Sequence, residues 1–219
     1  MKHNLSFNNL LAITFVFICL LICSRMVYTG TSQHVFLVWN IFLAWIPYII
    51  SNYFRVYEKK QKWKQLFLFS SWLLFFPNAL YIITDLIHLQ DEGSAPVWFD
   101  AILIFTSSFI GLLMAFKSLY NVERYLAKKM SRKMLGLAIP VIIFISSFGV
   151  YLGRFGRWNS WDVIHSPLAL GENILECFIF PFDHFRSWAI TIILSILFYL
   201  IYAFSKILPH SFRQNNNAG

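Results

Sequence analysis

Arg154, Arg157, Trp158, Asn159, Trp161, Asp162 and His165 all fall within residues 151–165, directly after a hydrophobic run. Planar guanidinium groups suit phosphate or carboxylate recognition through paired donors. Arg154 and Arg157 are three apart, as are Asp162 and His165, so each pair shares a face if the segment is helical. A competing reading makes the arginines partners of Asp85 or Asp162 in internal salt bridges. The tryptophans then serve as anchors at a membrane interface.

A second constellation lies upstream. Asn78, Tyr81, Asp85 and His88 recur at spacings of three, four and three, with Thr84 beside them, which predicts one polar face on a helix. Either Asn78 repairs the backbone at Pro77 while Asp85 and His88 end the helix in water, or the stripe faces a wet cavity, since lipid satisfies no polar group. Asp85, His88, Asp162 and His165 together offer N and O ligands for one zinc-like divalent ion, or an acid–base pair without metal. Asn78, Tyr81, Thr84, Arg154, Arg157 and Asn159 are the candidate binding residues around them. Asp-x-x-His is a less specific signal than two histidines on one helical turn with a partner glutamate. No Ser/His/Asp order or glycine-rich phosphate loop accompanies it.

These residues sit in a chain of 219 in which 13% are charged, 58% are hydrophobic and 24 are Phe, a composition that excludes an ordinary soluble domain. Six apolar runs, near 7–27, 34–54, 66–88, 98–117, 135–153 and 187–207, reach the roughly 20 residues needed to cross a hydrocarbon core. They predict a single all-α, six-span membrane domain. Pro47, Pro77 and Pro140 interrupt three of the runs and are expected to kink helices rather than end them. The first run lacks a small-x-small cleavage pattern and reads as an uncleaved anchor. Cys19, Cys23 and Cys177 show neither a disulfide framework nor metal-ligand spacing and read as packing residues.

Orientation follows from the basic residues. Lys2, Arg55, Lys59, Lys60, Lys62, Lys64, Lys117, Arg124, Lys128, Lys129, Arg132, Lys133, Lys206 and Arg213 fall on one side, leaving Arg25, Arg154, Arg157 and Arg186 opposite. The positive-inside bias predicts both termini in the cytoplasm of a cell-membrane protein. The net charge of +8 then reflects basic loops facing anionic lipid, so membrane lipids rather than nucleic acid are the expected partners. Asp85, Asp91, Glu92, Asp100, Asp162, Glu172, Glu176 and Asp183, with His34, His88, His165 and His184, gather at the outer boundary, while Glu58 and Glu123 stay inside. A reporter fused after Gly93 is expected to read as extracytoplasmic; a cytoplasmic signal there would invert the topology.

Residues 154–186 are long for a structureless connection and predict a lid or short interfacial helix. Ser166 is expected to cap that helix and Pro167 to open it. Leu168, Leu170, Ile174, Leu175, Phe178 and Ile179 would then meet lipid, while Glu172, Asn173 and Glu176 meet water. The halves of the chain share no repeat, and the Asn-rich tail, 214–219, is expected to be disordered.

Phe76-Pro-Asn-Ala-Leu-Tyr-Ile-Ile-Thr-Asp-Leu-Ile-His-Leu89 and Leu152-Gly-Arg-Phe-Gly-Arg-Trp-Asn-Ser-Trp-Asp162 resemble the two signature blocks of a bacterial integral-membrane family, catalogued as a domain of unknown function. The resemblance covers most of the chain. Leu80 departs from it, since the family tends to have proline there; Tyr81, Thr84, Asp85 and His88 remain in place. The resemblance implies a polytopic membrane fold and supplies no activity or substrate.

Three functions compete at this stage. The first is binding or processing of a lipid or lipid-linked anionic headgroup at an outward-facing polar site. The second is a small transporter or channel, with the Pro77–Asn78 break as a discontinuous helix and Ser107, Ser108, Ser146 and Ser147 as a polar path. It lacks the mid-span ionisable residue that ion-coupled carriers commonly keep. The third is a non-catalytic assembly or regulatory subunit with an aromatic outer loop as its docking surface.

Overall fold

Serine side chains start two of the membrane helices, and a left-handed glycine ends the first. Ser6 accepts from the Asn9 amide at 3.3 Å, Ser131 from the Met134 amide at 3.4 Å, and Gly30 closes its helix at φ 68°. A computed structural model describes residues 6–54, 61–90 and 95–215. In chain order the helices are α1 (Phe7–Thr29), α2 (Phe36–Tyr53), α3 (Lys62–Tyr81), α4 (Val97–Leu126), α5 (Arg132–Arg154), α6 (Asp162–His165), α7 (Pro167–Ile179) and α8 (Phe185–Asn215). A 3-10 segment, Ile82–Gln90, continues α3. Six helices are long and apolar enough to cross a membrane, and no strand occurs among the described residues. The chain is an all-α multi-pass membrane protein.

Lys2, Arg55, Glu58, Lys59, Lys60, Asp91, Glu92 and Gly93 lie outside the described residues, as do residues 216–219 of the expected tail. Pro47, Pro77 and Pro140 all sit inside helices that continue past them. Around Pro47 a buried serine joins three helices. Ser118 on α4 donates to the Pro47 carbonyl on α2 at 2.9 Å and accepts from the Trp72 indole on α3 at 2.7 Å. Such interhelical bonds keep polar groups satisfied where no water reaches.

α4 is the central helix, touching α1, α2, α3 and the 3-10 segment, while α5 packs on α3 and α8. Helix α4 runs beyond the expected span of 98–117 to Leu126. Glu123 there accepts from the Tyr202 hydroxyl and pairs with Lys206 at 2.6 Å, both on α8, so tertiary bonds hold the extra turns. Two glycines set the closest approaches. A Cβ on Gly111 would lie 2.2 Å from Ile82 Cγ2, and one on Gly149 would lie 2.8 Å from Pro77 Cγ. Small residues at such crossings let membrane helices approach closely.

The α-helical stripe expected through His88 is the main local departure. Helix α3 ends at Tyr81 and tightens into nine 3-10 residues, longer than the usual three or four. Carbonyls that lose α-helical partners find side chains instead. Thr84 donates to the Tyr81 carbonyl at 2.6 Å, and Ser108 on α4 donates to the Ile82 carbonyl at 3.0 Å. With three residues per turn, Asp85 and His88 stack on one edge, as the spacing of three requires.

In the expected lid, Pro167 opens α7 as its type suggests, but the Ser166 side chain makes no capping bond. Leu170 and Ile174 turn inward against Phe148, Leu152 and Cys177, while Leu168, Leu175, Phe178 and Ile179 are exposed. Asn173 accepts from the Trp158 indole at 3.2 Å instead of facing water alone. The lid therefore rests on the end of α5 by its own apolar stripe. Of the three cysteines, Cys177 is the one buried; Cys23 is exposed on α1.

Candidate functional site

The antiparallel run of spans brings the C-terminal ends of α1, α3 and α5 and the N-terminal ends of α2 and α4 to one end of the bundle. Arg154 is the last residue of α5, where a cation complements the helix dipole. It donates through Nε to Thr84 Oγ1 at 2.8 Å and through Nη2 to Asp85 Oδ1, with Nη1 3.2 Å from His88 Nε2. Its guanidinium lies over the Tyr81 ring, 4.3 Å from the centroid. The second Asp85 oxygen accepts from Asn40 Nδ2 at 2.7 Å. The Asp85 side chain is 1% exposed and that of Arg154 is 12% exposed. Four candidate residues on the third span and its 3-10 continuation thus meet one arginine from the 151–165 window. The internal salt-bridge reading holds for Arg154.

Beside this pair, Trp39, Asn40, Leu43, Asn78, Tyr81, Gly153, Trp158 and Asn159 line a pocket of about 110 Å³. Asn78 Nδ2 donates to Ser160 Oγ at 3.0 Å, and Ser160 donates onward to the Leu74 carbonyl at 3.1 Å. Gly156 allows the turn that places Trp158: a Cβ there would lie 2.8 Å from both the Leu152 carbonyl and Trp158 Cδ1. Arg157 follows with φ 58°, a left-handed conformation uncommon for a residue with a side chain. Its side chain is exposed, and no partner for it occurs among the described residues.

Asp162 and His165 do not join the buried pair. Asp162 accepts from the Asn159 amide at 2.7 Å, a local loop closure, and His165 is exposed on the four-residue α6. Among the described residues no three His, Cys, Asp or Glu side chains gather to hold a metal ion. The ligand set Asp85, His88, Asp162 and His165 therefore does not assemble. Asp85 and His88 meet Arg154 instead, and Asp162 takes the Asn159 amide.

Ser107, Ser146 and Ser147 are buried and donate to carbonyls four residues back on their own helices, while Ser108 holds the Ile82 carbonyl. They pack helices and offer no hydroxyl to a polar path.

Trp39, Asn40 and Ser160 are site residues that the motif reading missed. Asn40 carried a legible signal, since an isolated amide inside an apolar span needs a partner. A second buried pair lies at the same end. Arg25 holds Asp100 in a two-point bond, Nε to Oδ1 at 2.6 Å and Nη2 to Oδ2 at 3.0 Å. Thr31 and Gln33 accept further bonds from Arg25 at 3.3 and 3.2 Å.

Trp39 also lines a larger groove. Between α1 and α2, closed behind by Ile110 and Met114 of α4, runs an apolar cleft of about 800 Å³. Its lining along α2 extends from Val35, just before the helix, to Asn52, about 25 Å at a rise of about 1.5 Å per residue. That is most of a hydrocarbon core of about 30 Å.

The fold and site together define a six-helix membrane protein with a buried Arg–Asp network and a small polar pocket at one end. Residues 39–201 match the model of the family described as "Protein of unknown function (DUF1361)", and the chain belongs to that family. Neither the curated proteins nor the solved structures gave a match.

Proposed function

We propose that this protein binds a lipid, or a lipid-linked anionic headgroup, at the outer leaflet of the cytoplasmic membrane. One observation carries the reading: Trp39 walls both the polar pocket and the apolar cleft, so one molecule with a polar head and a long tail fits the two together. The outward placement rests on the excess of Lys and Arg in the opposite loops, which supports both termini lying in the cytoplasm. Arg154 is committed to Asp85, Thr84 and His88, so Arg157 is the group that meets the phosphate. Asp85, His88 and Thr84 position Arg154 and Tyr81, and Asn78 and Asn159 line the pocket as binding groups.

The test is the lipid that stays with the purified protein. Arg157→Gln is expected to lower the retained anionic lipid about tenfold, the worth of one charge-assisted bond of about 1.5 kcal/mol. Mass spectrometry of the protein in nanodiscs reads the change. Wild-type protein that carries lipid in the same proportions as the surrounding bilayer would defeat the proposal.

A further inference from the structure

The pocket's amides are locked in one orientation, and that orientation selects its ligand. Asp85, paired with Arg154, is an acceptor at both oxygens, so the Asn40 amide must turn its NH2 toward it. Ser160 gives its single hydroxyl hydrogen to the Leu74 carbonyl, so it can only accept from the Asn78 NH2. Each asparagine therefore has its Oδ1 left over. No protein donor reaches either oxygen among the described residues, and both residues line the pocket. Two fixed acceptors ask for a ligand that brings hydrogens.

None of the eight lining residues is charged. Asp85 and Arg154, which touch Asn40 and Tyr81, neutralise each other, and the Asp162 carboxylate beside the pocket is turned to the Asn159 amide. A phosphate oxygen placed at the Asn40 and Asn78 Oδ1 atoms would meet acceptor with acceptor. An ammonium would bring donors and meet aromatic faces. It would, however, place a second cation beside Arg154, which already covers one face of Tyr81 at 4.3 Å. A hydroxyl supplies a donor without net charge. Trp39, Trp158 and Tyr81 supply flat apolar walls for the carbons between hydroxyls. The volume of about 110 Å³ is a few waters' worth, at roughly 30 Å³ each.

We infer that the pocket formed by Asn40, Asn78, Tyr81, Trp39 and Trp158 takes a neutral, hydroxyl-bearing group the size of a glycerol unit or one edge of a sugar ring. This rests on the lipid reading above and names its headgroup: the phosphate lies outside the pocket at Arg157, and the hydroxylated end enters it.

Binding to the full-length protein in detergent, followed by tryptophan fluorescence and native mass spectrometry, tests this with probes of identical short acyl chains. Phosphatidylglycerol is expected to bind at least tenfold tighter than phosphatidic acid or phosphatidylethanolamine, from two hydrogen bonds of ordinary strength. Asn78→Leu is expected to bring that ratio towards one, whereas Tyr81→Phe, which keeps the flat wall, is expected to preserve it; the ratio is read within each variant, so a change in stability does not imitate it. Equal binding of all three lipids overturns the hydroxyl assignment and leaves the lipid reading standing. Preference for phosphatidylethanolamine overturns it in favour of an ammonium site. Free glycerol 3-phosphate binding as tightly as the lipid supports the hydroxyl chemistry and defeats the lipid source. Binding of none of the four defeats both.

Discussion

Asp85→Ala is expected to destabilise the folded protein by about 3 kcal/mol, because it strands the Arg154 charge at a largely buried site. Asp85 is 0% exposed and receives both Arg154 Nη2 and Asn40 Nδ2, so alanine removes two bonds and leaves two donors unsatisfied. At roughly 2–4 °C per kcal/mol for a chain of this size, the melting temperature in detergent should fall by about 10 °C. Asp85→Asn keeps the shape and should cost less. Asp85→Leu combined with Arg154→Met removes both charges and should recover much of the loss, since buried pairs are often replaceable by apolar residues of similar volume. A purely catalytic aspartate would behave differently: alanine would leave the melting temperature unchanged. An Asp85→Ala protein melting within 2 °C of wild type, on the order of the error such comparisons carry, would remove the anchoring role. His165→Ala gives the contrast, because that exposed ring carries no such burden.

The second large effect is expected at Asp100. Its two oxygens meet two nitrogens of Arg25, and the side chains are 1% and 9% exposed for Arg25 and Asp100. Asp100→Ala leaves Arg25 charged inside the bundle with only the Thr31 and Gln33 oxygens as partners. A loss of about 3–5 kcal/mol follows from the same physics. Its structural consequence differs, because α1 packs chiefly on α4 and this pair is a polar tie between them. Losing it should loosen α1 and open the cleft between α1 and α2. Increased labelling of a Cys introduced at Phe15, on the cleft wall, would register that loosening. The exchange Arg25→Asp with Asp100→Arg should restore part of the stability. If Asp100→Ala lowers stability without changing labelling at Phe15, the pair stabilises the bundle end and does not hold α1.

Much of this protein is legible along the chain. The six spans follow from apolar runs of sufficient length, because a membrane leaves a backbone few alternatives to a helix. Pro47, Pro77 and Pro140 were readable as interior prolines for the same reason. The stripe through Asn78, Tyr81, Asp85 and His88 marked the correct segment, although the helix changes pitch at Ile82. That change is a response to α4: Ser108 takes up the Ile82 carbonyl, and Gly111 admits the Ile82 side chain. No pattern within 78–88 itself encodes a neighbour's hydroxyl.

The same division runs through the site. Residue type and spacing determined that Arg154, Asp85 and His88 needed polar company within an apolar chain, since lipid provides none. Which company they found was decided only when α2, α3 and α5 came together. Asp85 took Arg154 and Asn40 and left Asp162 to close its own loop. The sequence by itself determined the class of protein, its spans and the list of groups that had to be satisfied. The tertiary structure decided the pairing, because a hydrogen bond depends on distances of about 3 Å between segments far apart in the chain. By engaging the NH2 groups of Asn40 and Asn78, it also left their amide oxygens without a protein donor among the described residues.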